Sequence, residues 1–133
     1  MKVLVCGGRD WSDQAMVDAV LNGLYEREHW ITVIHGGARG ADRYAREWAT
    51  RRLSEHPFPG LLNIYVKEFP ADWETHAKAA GPIRNRRMLE EGKPELVLAF
   101  KNGFDHTLSR GGTENMVKQA KALGVAVYLV GAL

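Results

Sequence analysis

The sequence predicts an α/β protein, a three-layer Rossmann-like fold with a parallel sheet of about five strands in the order 3-2-1-4-5. Three observations lead there. Short apolar runs alternate with longer amphipathic ones along the whole chain, the pattern of strand–helix repeats. The runs VLVC, LVLAF and VAVYLV are continuously apolar, as strands covered by helices on both faces are. Glycine-bearing stretches stand where a strand hands over to a helix, most plainly in HGGARGAD, His35 to Asp42.

In chain order, KVLVC (2–6) reads as the first strand, ending in Gly7 and Gly8. Ser12 can cap a helix from Asp13 to about Glu28, with Ala15, Val17, Ala19, Val20, Leu21 and Leu24 as its apolar positions. WITVIH (30–35) is the second strand, and Ala41 to about Ser54 the second helix. HPFPGLLN, with Pro57, Pro59 and Gly60, reads as a helix-to-strand connection into NIYVKEF (63–69), the third strand. Helical runs follow over Glu74–Ala80 and Pro82–Glu91, with Pro82 in a first turn, where its missing amide has no helical partner to lose. ELVLAF (95–100) is the fourth strand. A helix from Gly112 to Leu123, ended by Gly124, leads to VAVYLV (125–130), the fifth. Right-handed crossovers between these strands put helices on both faces and a switch point between strands 1 and 4.

The 133 residues suit one domain over 1–133. With 18 basic and 16 acidic residues the net charge is only +2, which does not advertise nucleic acid. Cys6 is the only cysteine, so neither an internal disulfide nor a cysteine-rich metal site can form, and a plain buried thiol in a reducing cytoplasm is expected. His29, His35, His56, His76 and His106 lack metal-ligand spacing, so no protein-held metal is expected; a magnesium ion arriving with a polyphosphate is compatible. No apolar run approaches the length of a membrane span, and MKVLVCGGRD lacks the long apolar stretch of a signal peptide.

The chemistry concentrates in three loops expected at one sheet edge. A helix N-terminus exposes unpaired amides and partial positive charge, and glycine lets that backbone approach an anion closely. The candidates for a ligand site are Gly7, Gly8 and Arg9 after the first strand, and His35, Gly36, Gly37, Arg39, Gly40 and Asp42 after the second. Gly111, Gly112 and Thr113 open the last helix. Arg39 can add a two-pronged donor to a phosphate. The stretches are neither GxGxxG nor a P-loop, and each alone can be a tight turn with packing glycines, a capping Thr113 and a dipole-matching Asp42. Three such loops on one rim favour an anionic, nucleotide-like ligand. Between strands 3 and 4, Pro70 and Asp72 read as a turn and a helix cap. Trp73 is better explained as a core aromatic than as a stacking surface, and His76 as a surface residue. Arg84, Asn85, Arg86 and Arg87 diverge around one helix, so Arg84 and Asn85 are taken for the pocket, with Arg86 and Arg87 in solvent or at a subunit interface.

GGRD, HGGARGAD, PADW, AAGPIRNRRM, LVLAF and RGGTENM, in this order from Lys2 to about Val130, resemble the YspA/cpYpsA-related branch of the SLOG superfamily. That resemblance implies a Rossmann-like fold and binding of nucleotides or nucleotide-derived ligands. The superfamily includes the LOG phosphoribohydrolases and the DNA-binding protein DprA, and some members act in bacterial and phage conflict systems. Arg84 and Asn85 are similar in placement to a ligand-binding arginine segment of LOG enzymes. The LOG pattern PGGxGTxxE, whose glutamate serves glycosidic cleavage, is replaced here by SRGGTENMV, with Met116 three residues after Thr113. This departure counts against LOG-type hydrolysis.

Three functions are therefore weighed: a sensor or sequestering module for a nucleotide-like molecule, a nucleotide hydrolase, and DprA-like nucleic-acid binding. N-glycosidic hydrolysis needs a carboxylate at the sugar and a proton carrier near the leaving group. Asp42 and Asp72 are the first choices, ahead of Asp10 and Glu114, with His35 and His76 as proton carriers. Nucleic-acid binding would draw on Arg39, Arg43, Arg46, Arg51 and Arg52, and the balanced charge disfavours it. A homodimer or higher homo-oligomer is expected.

Overall fold

The computed structural model describes residues 1–108 and 112–131. Within β1 (Lys2–Gly7), side chains alternate between two cores, as the pleat requires. Val3 and Val5 pack with Val17, Leu21, Ala45 and Trp48 on one face, and Leu4 and Cys6 with Met88, Met116 and Val117 on the other. The same alternation runs through β2 (Ile31–His35) and β4 (Leu96–Phe100), so the three central strands are covered twice. β3 (Ile64–Glu68) and β5 (Ala126–Val130) complete a five-stranded parallel sheet in the order β3-β2-β1-β4-β5, as expected. The register pairs His35 with Glu68 and Gly7 with Phe100, so the carboxyl ends of four strands finish on one rim.

On one face lie α1 (Gln14–Glu28) and α2 (Ala41–Glu55). Asp13, not Ser12, caps α1, because its carboxylate reaches the Met16 amide at 3.0 Å. The two helices are fastened by polar side chains over an apolar floor. Arg51 grips Asp18 with two nitrogens at 3.0 and 3.2 Å, and the Trp48 indole and Arg52 both donate to Asn22, at 2.8 and 2.6 Å. The Pro57–Gly60 connection holds a 3-10 turn, Pro59–Leu61.

On the other face lie α4 (Ala80–Gly92) and α5 (Gly112–Ala122), and between β3 and α4 comes α3 (Trp73–His76), a single turn. The helical run expected over 74–80 is interrupted. Asp72 caps α3 through the Thr75 amide, then Ala77 takes a positive φ of 50° and starts a separate 3-10 turn, Ala77–Ala79. Pro82 does fall in the first turn of α4. β5 also departs from expectation. Its apolar run is an edge, with β4 beside it and α5 below, so Tyr128 stays 62% and Leu129 39% exposed. An apolar run signals two covered faces only when a neighbour and a helix exist on each side. Among the described residues no helix is long and apolar enough to cross a membrane.

Candidate functional site

A cleft of about 420 Å³ opens beyond the carboxyl ends of β1 and β4, the switch point of the sheet. Gly7 to Asp10 form one wall, Arg84, Asn85, Gly112 and Thr113 another, and Cys6 and Met88 lie at the bottom. Cys6 is a buried free cysteine, and burial pushes its thiol up, so it is a wall and not a nucleophile. Two of the candidate glycines make the walls fit together. A Cβ on Gly7 would lie 2.3 Å from the Phe100 carbonyl oxygen. Gly40, at φ 82°, would place one 2.3 Å from the Gly8 carbonyl oxygen. The loops after β1 and β2 are therefore pressed backbone to backbone.

Within HGGARGAD the expected nest of open amides is replaced by an internally bonded turn. Asp42 Oδ2 accepts from the Gly36 amide at 2.8 Å and the Ala38 amide at 3.4 Å, and the Gly37 amide donates to His35 Nδ1 at 3.0 Å. The protein's own side chains take the donors that the glycine pattern suggested for a ligand. Asp42 is 5% exposed, and burial raises its carboxyl to about 6 against the lowering effect of the Gly36 bond, the Arg84 charge and the Ala38 bond. It still lines the cleft.

Positive charge comes from side chains instead. Arg84 Nη1 donates to the Gly36 carbonyl at 2.8 Å and Nε to Asn85 Oδ1 at 3.1 Å. The absent side chain of Gly36 makes room for this, since a Cβ there would sit 2.1 Å from Arg84 Nη1. Asn85, 2% exposed, donates to the Gly112 carbonyl and to Asn115, both at 3.1 Å. It ties Arg84 to the start of α5, which makes it a positioning residue. Thr113 is buried on the cleft wall, and among the described residues a Cβ added at Gly112 would meet no atom within 4 Å. Gly111 lies outside the described residues.

Two charged residues were missed in the sequence. Lys101 follows β4 directly, lines the cleft and donates to the buried Glu114 at 2.6 Å. Glu68 ends β3 and lines the two recesses beside the cleft. Both stand at the carboxyl end of a strand, the position where open parallel sheets offer side chains to ligands, and that position was the signal available. Glu114 turns down to Lys101 and away from the cleft, while Met116, at the place of the LOG glutamate, is core.

The remaining candidates spread out along the rim. Arg39 does not line the cleft; with His35, Arg43, Arg46 and Glu68 it surrounds a neighbouring recess of about 300 Å³. Trp73 is not a core residue. It is 52% exposed and lines a third recess, of about 320 Å³, with Pro70, Arg9 and Arg84. Asp72 caps α3 and lines none of these spaces. Arg86 and Arg87 pair along the surface of α4 with Glu90 and Glu91. Arg51 and Arg52 are bound into the α1–α2 seam, which removes two of the five arginines weighed for nucleic acid. Among the described residues no group of three or more His, Cys, Asp or Glu gathers to hold a metal.

A family model described as the YspA, cpYpsA-related SLOG family matches residues 1–76, which carry GGRD, HGGARGAD and PADW. Among curated proteins the chain is 35% identical over 131 residues to the Gene 61 protein of Mycobacterium phage D29, covering 98% of this chain and 96% of that protein. No solved structure matches it. Both similarities include the two loops that build the β1 side of the cleft, and such membership is consistent with nucleotide-related binding or processing. By the match of the family model over more than half of its length, the chain belongs to the YspA, cpYpsA-related SLOG family.

Proposed function

We propose that the cleft binds a nucleotide or nucleotide-derived phosphorylated small molecule, and that the protein acts as its sensor or sequestering module. The observation that carries this reading is the convergence of Arg9 and Arg84 on one cleft at the mouth of α5, beside Lys101, whose charge Glu114 already meets. Arg84 is held by Nε and Nη1, and among the described residues Nη2 has no protein acceptor, so it is the group offered to an anion. The α5 N-terminus adds partial positive charge and the Thr113 hydroxyl.

A second reading, hydrolysis of such a nucleotide, rests on Asp42, whose carboxyl is raised to about 6 inside the cleft, near the range of a proton carrier. Two amides already hold that carboxylate, and no carboxylate stands at Met116, so binding without turnover is the better-supported function.

Titration calorimetry with nucleoside 5′-monophosphates and dinucleotides tests binding. Arg9→Ala and Thr113→Val are expected to weaken the ligand about tenfold each, with melting temperatures within a few degrees of wild type. Equal affinity in all three proteins would remove the proposed site. Incubating the same ligands with protein and assaying free base by chromatography separates binding from hydrolysis; no release is expected.

A further inference from the structure

We propose that the rim carries a second anion subsite, formed by Arg39, Arg43 and the Nε2–H of His35, so that the molecule bound bears two anionic groups, one at each end of a groove of adjoining spaces. This rests on the nucleotide-like reading of the cleft and narrows its ligand class.

The three spaces adjoin one another, because their walls share residues. The cleft and the Trp73 recess have Arg9, Ala38 and Arg84 in common, and the Trp73 recess and the arginine recess share Gly37, Ala38, Arg39 and Glu68. Arginines stand at both ends, Arg9 and Arg84 in the cleft beside Asp10 and Asp42, and Arg39, Arg43 and Arg46 in the far recess. Trp73 lies between, presenting a half-exposed ring.

His35 supplies the independent observation. Its side chain is 1% exposed, and Nδ1 accepts the Gly37 amide, which fixes the ring hydrogen on Nε2. That Nε2 is buried without a hydrogen-bond partner, on the side of Glu68, and His35 lines the arginine recess. Burial keeps the imidazole neutral, Glu68 opposing and Arg46 and Arg84 adding to the effect. A buried donor left unpaired is costly, and a native site tolerates it where a ligand completes the bond. Glu68 Oε1 stands 3.9 Å away, beyond bonding distance.

The arginines are available. Among the described residues Arg39 makes no ion pair, while Arg43 meets Glu47 at 3.5 Å and Arg46 meets Glu68 at 3.8 Å, both as exposed, weak pairs. Glu68 opposes an anion here, which gives the subsite a tunable residue.

Nitrogen-15 NMR with inorganic phosphate as the probe tests the subsite. Phosphate is expected to shift the amides of Gly37, Arg39 and Arg43 and the Nε2–H signal of His35, separately from those of Gly8 and Gly112. Arg39→Ala should weaken the first response about tenfold and leave the second unchanged, and Glu68→Gln should strengthen the first severalfold. A silent recess beside a responding cleft would overturn the subsite and leave the proposed function standing. A responding recess beside a silent cleft would overturn that function and the two-ended ligand with it. Unaltered recess affinity in both variants would also overturn the subsite.

Discussion

Asp42 stands where two requirements conflict. The turn needs its oxygen to hold the Gly36 and Ala38 amides, yet burial penalises the charge on that oxygen. Burial prevails, and the carboxyl titrates at about 6 in the fold against an ordinary value of 3.8. A raised folded value means that the contribution is fully present below about pH 4 and is lost as the pH climbs through 6. Both amides end on the same oxygen, so Asp42→Asn can keep them and remove the titration. The stability of the variant relative to wild type should therefore rise between pH 4 and 7.5, by on the order of 3 kcal/mol. Urea melts across that range check it, and a constant gap would contradict the assignment. Gly36 makes a second residue-level point. Its missing Cβ leaves space for the flexible end of Arg84, so Gly36→Ala should fold, displace the guanidinium and weaken nucleotide binding measured by calorimetry. Sequence alone pointed to both residues, but to Gly36 as part of an amide nest and to Asp42 as a ligand-side or catalytic carboxylate or a match to the helix dipole. Which side chain bonds which amide depends on a turn geometry that residue types do not specify.

Gly40→Ala belongs to the scale of the element, because what it would strike is backbone. The added methyl meets the Gly8 carbonyl at 2.3 Å and φ is 82°, so no flexible group can give way. A loss of about 2 kcal/mol or more is expected in chemical denaturation, larger than for Gly36→Ala. Arg51→Ala should loosen α1 from α2, lowering stability by about 1 kcal/mol because the pair with Asp18 is partly exposed. Thermal melts check this, and phosphate binding should be unaffected. Most element positions were legible, since alternation of two with longer runs of 3.6 needs only local pattern. The exceptions have local causes. Asp13 outcompeted its neighbour Ser12 as a cap, and the break at Ala77 arises where neither glycine nor proline marks a turn. The exposure of β5 and of Trp73 follows from which neighbours a segment lacks, and that is a property of topology.

For the molecule as a whole, strand order was legible because right-handed crossovers and twice-covered strands leave few arrangements. The rim was legible as a location, and Arg9, Arg84, Asn85, Gly112 and Thr113 meet there. Its division into adjoining spaces was not, since Arg39, Lys101 and Glu68 are assigned by the reach of side chains across loops distant in sequence. The near-neutral charge hid the same feature: the basic residues of the rim stand among Asp10, Asp42 and Glu68, so the total of +2 says little about how charge is arranged there. The contact of Gly40 with Gly8 has one more consequence. Two interlocked loops cannot be lengthened or reshaped singly, so they constrain each other's evolution. Residues 72–79 are exposed throughout and free of any such interlock, and through Trp73 they reach the side of the groove that can be rebuilt without disturbing the rest. Adaptation of a relative to a new molecule is expected to begin in that short stretch around Trp73.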